Sequence, residues 1–225
     1  MSPLMSGTGA GPGRGWRQRG RQPRARQTVL RRLNRWQAEQ QREDLADLYL
    51  ECSAVEPGEE YARREDFVER LVSDARHPGF DMLVAETATL VGFVFGVPVD
   101  RDGSWWDGFV GQLPGEVEQL TASGHVFALT ELVVHPYVRG HGVAGQLQAR
   151  LLGDHQASLG TTLVQQADHA AYAAFQSWGW QEIGEVHRAP DAVVLRALVL
   201  QLGARTKASP GGLTHNTHTQ RPDVS

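Results

Sequence analysis

The sequence of 225 residues predicts one domain of the α/β (α+β) class, in which helices flank a central sheet. Its apolar residues form helical and extended runs in the order β, α, α, β, β, β, α, β, α, β, β. Two pairs of neighbouring extended runs are separated by only a few residues, which is typical of hairpins. One long apolar strand is followed directly by a glycine-rich turn and a helix.

The N-terminal half supplies a strand, two helices and a hairpin. Residues 28–33 form a short strand, and the next helix begins near Asp44, with apolar positions at Leu45, Leu48, Tyr49 and Cys52. This spacing of i, i+3, i+4 and i+7 places the four side chains on one helix face. A second helix covers residues 63–76, and the extended runs 82–86 and 89–98 predict a hairpin.

Residues 99–124 form an insertion between this hairpin and the central strand, with a short helix at residues 116–122. Its polar loop carries Trp105, Trp106 and Phe109. Loops on a rigid scaffold often hold ligands, which favours a functional interpretation of the three rings. The rings could equally pack the loop onto the domain, and the sequence leaves both interpretations open.

The central strand covers residues 126–134 and ends at His135-Pro136, because proline has no N–H to donate. The turn that follows is rich in small residues and opens a helix. Unpaired N–H groups and the positive end of the helix dipole meet at such a point, which favours phosphate binding. The alternative is an ordinary turn that uses glycine for packing. A strand at 161–166, a helix at 169–177 and a hairpin of residues 180–186 and 192–200 complete the domain.

The turn contains the signature Arg/Gln-x-x-Gly-x-Gly/Ala as Arg139-x-x-Gly142-x-Ala144. With a strand before it and a helix after it, residues 28–200 resemble the GNAT superfamily of acyl-CoA-dependent N-acetyltransferases. The resemblance implies the GNAT fold: a mixed, mostly antiparallel sheet with a V-shaped opening between its two central parallel strands. It also implies acetyl-CoA as co-substrate, with its pyrophosphate on the turn and its pantetheine arm along the strand. The residues expected to bind it are Leu132, Val133, Val134, Arg139, Gly140, His141, Gly142, Val143, Ala144, Asp168 and Phe175.

Glu131 is the candidate catalytic residue, since it is the one carboxylate in an otherwise apolar strand. Burial without a partner would be costly, so the side chain is expected to face a polar cleft, where burial raises its pKa. Many GNAT enzymes have a glutamate on this strand that binds the amine directly or through water. The alternative is a carboxylate that pairs with an arginine for structure.

A second element, beginning at Asp168, resembles the family pattern Asn-x-x-Ala-x-x-x-Tyr-x-x-x-Gly-Phe, with two departures. Asp168 stands at the Asn position and Phe175 at the Tyr position. Family members use that tyrosine hydroxyl to protonate the departing thiolate, which phenylalanine cannot do. Tyr172 lies one turn earlier, but helix geometry places it about 60° away from the same face.

Both ends of the chain are predicted to be disordered tails around a GNAT N-acyltransferase domain at residues 28–203. Residues 1–27 carry six arginines and no acidic residue, so the net charge of this segment is +6. Because the whole chain has a net charge of −4, the remaining residues together carry −10. Such a tail could bind nucleic acid, although a plain extension or a misplaced start is the preferred interpretation. Residues 204–225 are the second tail.

The predicted function is transfer of an acetyl group from acetyl-CoA to a primary amine of a small molecule or peptide by direct attack. The insertion at residues 99–124 is expected on the substrate side. The alternatives are a non-catalytic acyl-CoA-binding module and a nucleic-acid-associated protein that uses the basic tail. No metal and no membrane contact are expected, nucleic acid is a less favoured partner, and a homodimer stays open. The single cysteine, Cys52, fits a reducing cytoplasm.

Overall fold

The computed structural model describes residues 28–53, 58–188 and 193–203. Both predicted tails, at residues 1–27 and 204–225, lie outside these described residues. The strands are β1 (Val29–Leu33), β2 (Asp81–Glu86), β3 (Leu90–Pro98), β4 (Val126–Val134), β5 (Leu159–Gln165), β6 (Gln181–Arg188) and β7 (Val193–Gln201). The helices are α1 (Arg35–Gln40), α2 (Arg42–Cys52), α3 (Glu60–Arg76), α4 (Gly115–Ala122), α5 (Val143–Gly153) and α6 (His169–Ser177).

The seven strands form one mixed sheet in the order β1-β2-β3-β4-β5-β7-β6. Its neighbours pair antiparallel except β4 and β5, which are parallel and adjacent at the centre. They pair only at Val126–Leu159, Phe127–Gly160 and Ala128–Thr161, and then separate. The predicted fold class and its V-shaped opening are therefore confirmed.

A bulge in β4 lies at the point where the strands separate. Phe95 pairs with Glu131, but the next residue, Gly96, pairs with Leu129, so Thr130 is an extra residue on β4. A Cβ added at Gly96 would lie 2.0 Å from the Ala128 carbonyl oxygen, so only glycine permits this close approach of the two strands. A bulge redirects the side chains that follow it.

Each face of the sheet has its own apolar core. Neighbouring residues of β3, Phe93 and Val94, belong to different cores because side chains alternate along a strand. The helices α5 and α6 cover the face of Val94, with Leu147 as a fully buried contact. The face of Phe93 is covered by α1, α2 and α3, with Phe67 fully buried. Burial of each such side chain contributes about 1.5–3 kcal/mol.

One helix, α1, was not predicted. Its N-terminus is a capping box in which the Gln37 amide donates to Asn34 Oδ1 and the Asn34 amide donates to Gln37 Oε1, both at 3.0 Å. This reciprocal pair satisfies two N–H groups that a helix start otherwise leaves without partners. The Asn-x-x-Gln spacing in the sequence was the signal.

The insertion at residues 99–124 packs against β6. The Val110 amide donates to the Glu185 carbonyl at 2.8 Å, and the His187 amide donates to the Gly108 carbonyl at 2.9 Å. Trp106 is buried and its indole N–H donates to the Thr121 hydroxyl at 3.0 Å. The Phe109 ring lies edge-on to the Trp106 ring, at a centroid distance of 6.4 Å, so the packing interpretation holds for both rings.

Candidate active site

Two glycines in the loop between β4 and α5 border open space. After a short 3-10 turn at Pro136–Val138, Gly140 and Gly142 adopt left-handed conformations, with φ of 77° and 76°. A side chain at either position would be strained, which explains both glycines. A Cβ added at Gly140 would meet nothing within 4 Å. One added at Gly142 would meet only the side-chain nitrogen of Gln146, Nε2, at 3.7 Å.

Several backbone N–H groups of this loop have no hydrogen-bond partner among the described residues. Within the described residues, the amides of Gly140, Gly142, Val143 and Ala144 donate to no backbone or side-chain acceptor. Those of Val143 and Ala144 open the first turn of α5, where a helix lacks internal acceptors and the dipole is positive. The arrangement provides several donors and a positive potential for an anion.

The other two predicted loop residues have internal roles. The Arg139 amide donates to the Pro136 carbonyl at 3.2 Å, and the His141 amide donates to the Val138 carbonyl at 3.4 Å. The Arg139 side chain donates from Nε to the Val134 carbonyl at 3.2 Å. From Nη2 it donates to the Cys52 carbonyl at 3.3 Å. Arg139 therefore connects the loop to the end of β4 and to the end of α2.

Glu131 lies on the face of the sheet that α2 and α3 cover. Its side chain is 19% exposed, and Arg70 Nη1 of α3 donates to its Oε2 at 3.2 Å. Arg70 also donates from Nη2 to the Tyr49 hydroxyl at 3.4 Å. Burial raises the pKa of Glu131, the nearby Asp74 charge raises it further, and Arg70 opposes both effects. The predicted arginine partner of the structural interpretation is thus present, while Oε1 accepts no hydrogen bond from the described residues.

Two cavities border Arg70. The inner cavity has a volume of about 280 Å³ and lies where β4 and β5 separate. It is lined by Arg70, Asp74, Phe95, Trp105, Leu129, Thr130 and Leu163. The outer cavity has a volume of about 420 Å³ and is lined by Tyr49, Arg63, Asp66, Glu69, Arg70 and Gln165. Trp105 thus differs from the other two rings of the insertion, because it forms part of a cavity wall.

Asp74 is a second carboxylate beside Glu131, and it was not predicted. It follows Arg70 by one turn of α3 and lines the inner cavity. Burial raises its pKa, whereas a hydrogen bond from Thr130 and the charges of Arg70 and His77 lower it. Within the described residues it forms no salt bridge. The charge pattern of α3 alone contains no signal that separates Arg70 and Asp74 from its other polar residues.

The two residues of α6 that depart from the family pattern have structural contacts. Asp168 is the N-cap of α6, since its Oδ1 accepts from the Ala171 amide at 2.9 Å. Phe175 is 7% exposed, and its ring lies edge-on to the rings of Trp178 and Trp180, at centroid distances of 5.3 and 5.2 Å. Both residues stabilise α6 and its packing on the sheet.

The Tyr172 hydroxyl is directed towards the far edge of the sheet. It accepts a hydrogen bond from Gln176 Nε2 at 2.8 Å, and the Arg196 guanidinium lies 4.6 Å from the ring centroid. A hydrogen bond to Glu182 is the main cause that raises the pKa of Tyr172. Glu182 belongs to β6, three strands away from the strand of Glu131 in the sheet order.

Within the described residues, no group of three or more His, Cys, Asp or Glu side chains could hold a metal ion. None of the helices in this part of the chain combines the length and the apolar character that a membrane crossing requires. The Cys52 thiol is half-buried, and burial raises its pKa, which favours the unreactive protonated form.

Comparisons with solved structures show proteins of the same fold. A putative acetyltransferase of the GNAT family from Desulfovibrio desulfuricans is 12% identical, covers 79% of this chain and 100% of its own, and has a TM-score of 0.54. The PaiA N-acetyltransferase from Thermoplasma acidophilum, in complex with coenzyme A, is 11% identical, and the match covers 78% of this chain and 99% of that protein, with a TM-score of 0.53. The protein PH1933 from Pyrococcus horikoshii OT3 is 18% identical, and the match covers 79% of this chain and 99% of that protein, with a TM-score of 0.54.

Sequence comparison identifies the family. No curated protein matches the chain in a sequence search. The model of the acetyltransferase (GNAT) family matches residues 39–180, which is more than half of the chain and includes β4, the loop, α5 and α6. The chain therefore belongs to the GNAT acetyltransferase family.

Proposed function

We propose that this protein transfers the acetyl group of acetyl-CoA to a primary amine of a small molecule or peptide, by direct attack of the amine on the thioester. The observation that carries the proposal is the set of unpaired amides at Gly140, Gly142, Val143 and Ala144. These donors lie at one end of the opening between β4 and β5. A cavity with a carboxylate lies at the same opening.

The donor is expected to bind with its pyrophosphate on these amides and its pantetheine arm along Leu132, Val133 and Val134. Arg139 contributes by fixing the loop, since its side chain is engaged with two backbone carbonyls. Asp168 and Phe175 are expected to contribute through α6, on the other side of the opening from β4. Asp168 caps this helix, and the Phe175 ring packs against Trp180. Preorganised amides are well suited to bind phosphate, because they lose little conformational freedom on binding.

The transfer requires a neutral amine and a thiolate that can leave. The amine nitrogen forms a bond to the carbonyl carbon as the carbon–sulfur bond breaks, and one proton leaves the nitrogen. Glu131 is the proposed acceptor of that proton, directly or through water, and its Oε1 is available for the role. Its raised pKa makes it a better base than an ordinary carboxylate, since general bases work best near the ambient pH.

One observation favours a second candidate function, a module that binds acyl-CoA without turnover. Phe175 has no hydroxyl, and the Tyr172 hydroxyl is engaged towards β6. Neither residue is therefore poised to donate a proton to the thiolate. A thiol with a pKa of about 8.5 can nevertheless leave as thiolate near neutral pH, so the enzymatic proposal is preferred.

The two proposals are separated by an assay of free thiol release from acetyl-CoA in the presence of a panel of primary amines. The enzyme is expected to release thiol only when amine is present, and to form the N-acetyl product in equal amount. Tight acetyl-CoA binding by calorimetry without amine-dependent release would favour the binding module. Absence of acetyl-CoA binding would refute both.

A further inference from the structure

Arg70 and Asp74 line the inner cavity, Glu131 pairs with Arg70 beside it, and the charges of these three side chains do not cancel. Arg70 pairs with Glu131 at 3.2 Å. Asp74 lines the cavity and forms no salt bridge within the described residues, while His77, a nearby potential cation, lies 3.3 Å from Asp100. When ionised, the group therefore carries one net negative charge. A partly buried carboxylate that lacks a cationic partner is costly even with the hydrogen bond from Thr130, and a bound cation would offset that cost.

The remaining walls of the inner cavity are mostly apolar. Phe95, Leu129 and Leu163 come from three neighbouring strands, and Trp105 closes the side that faces the insertion. Trp105 is held in place by its backbone, because Arg188 Nη2 donates to its carbonyl at 2.6 Å. The volume of about 280 Å³ is nearly twice the ~150 Å³ of an apolar cavity that binds benzene. A six-membered ring with a short linker would fit.

The outer cavity has a different character. It is lined by Tyr49, Arg63, Asp66, Glu69, Arg70 and Gln165, so its walls are mostly charged or polar. It therefore does not offer the apolar walls that would hold the hydrocarbon part of a ligand. This points to the inner cavity as the place for an apolar group.

We propose that the inner cavity is the acceptor pocket, and that it takes a primary amine on an aromatic or branched aliphatic group, with the ammonium on Asp74. This inference rests on the proposed acetyl transfer and adds its substrate class. Asp74 binds the ammonium form, and the apolar walls hold the attached group. The ammonium first loses one proton to Asp74, which passes it to solvent, and the neutral amine then attacks the thioester carbonyl. Glu131 receives the second proton as the carbon–nitrogen bond forms and the carbon–sulfur bond breaks, and CoA leaves as the thiolate.

Removal of the Asp74 charge should weaken the amine site alone. Asp74→Asn keeps the volume of the side chain, and loss of a charged hydrogen bond is expected to raise KM for the amine by about ten- to a hundredfold. Asp66→Asn is the matched control, since Asp66 lies on the same helix but lines only the outer cavity. Affinity for CoA, measured by calorimetry, should be unchanged in both variants.

Three amines test the apolar walls: 2-phenylethylamine, ethanolamine and spermidine, each with acetyl-CoA and the full-length protein. The value of kcat/KM for 2-phenylethylamine should exceed the other two by about tenfold to a hundredfold, the scale of burying one aromatic side chain. Comparable or higher values for ethanolamine or spermidine would overturn the inference. Equal KM values in Asp74→Asn and Asp66→Asn would also overturn it.

A binding measurement keeps this inference separate from the proposed function. Calorimetric titration of 2-phenylethylamine into the protein with CoA present detects the pocket without turnover. Binding that weakens at least tenfold in Asp74→Asn, and not in Asp66→Asn, supports the pocket even if no amine is acetylated. Absence of binding, with turnover of another amine, refutes the pocket and leaves acetyl transfer standing.

Discussion

A carboxylate introduced at Gly142 should prevent CoA binding while the fold persists. The Gly142 backbone has φ of 76°, a conformation that costs an L-residue roughly 1–2 kcal/mol. For a domain of this size, that cost corresponds to a decrease of about 2–8 °C in melting temperature. The new side chain would enter open space, because only Gln146 lies within 4 Å of its Cβ.

The effect on CoA affinity should be much larger than the effect on stability. A carboxylate about 4–5 Å from a phosphate charge, at an effective dielectric constant of 20, opposes binding by roughly 3–4 kcal/mol. Gly142→Glu should therefore raise the Kd for CoA by about 10²- to 10³-fold in a calorimetric titration.

Gly111→Glu is the matched control, since Gly111 has φ of 88° and nothing within 4 Å of an added Cβ, but lies in the insertion. It should lose similar stability and keep its CoA affinity. If Gly142→Glu binds CoA within twofold of the wild type, the phosphate assignment is wrong.

Three further predictions concern the base, the tyrosine and the tail. Glu131→Gln should reduce turnover by about 10²-fold or more without changing CoA affinity. Burial raises the pKa of Glu131 above its ordinary 4.5, so its favourable contribution is present below that value and is lost as pH rises through the folded-state pKa. The variant's melting temperature should therefore rise relative to that of the wild type as the pH increases above 4.5, and a constant difference would contradict this. Tyr172→Phe should reduce turnover by less than about tenfold, whereas a hundredfold loss would make Tyr172 the acid. Deletion of residues 1–27 should leave the melting temperature and CoA affinity unchanged, because that segment has few large apolar residues; a large decrease in either would show that it contacts the domain.

The central strand, its loop and α5 could be predicted because their signals are local. An apolar run, a proline and left-handed glycines each restrict the backbone within a few residues. The loop's unpaired amides at Gly142, Val143 and Ala144 follow from the position of the helix start alone. The same kind of local signal, the Asn34–Gln37 capping box, marks the start of α1.

The acceptor side could not be predicted in the same way, because its contacts join distant parts of the chain. Arg70 and Glu131 are 61 residues apart, and their meeting depends on how α3 crosses the sheet. The bulge at Thr130 also matters, since it changes the register of β4 by one residue next to Glu131. Periodicity indicates that Phe67 and Leu71 face the core, but it does not indicate which polar residue of α3 reaches a cavity.

On the proposed assignment, Asp168 and Phe175 lie on the acetyl-CoA side of the opening, and Asp74 lies on the amine side. The contacts of Asp168 and Phe175 stabilise α6, one as its N-cap and the other through aromatic packing. A missing acid slows the reaction only where protonation of the leaving thiolate limits the rate, and a thiol pKa of about 8.5 makes that requirement weak near neutral pH. An alkylamine is far more basic, with a pKa near that of lysine at about 10.4, so most of it is protonated at neutral pH. Proton removal from the amine is therefore the more demanding transfer, and the two carboxylates, Asp74 and Glu131, lie on the side of the sheet where it would occur.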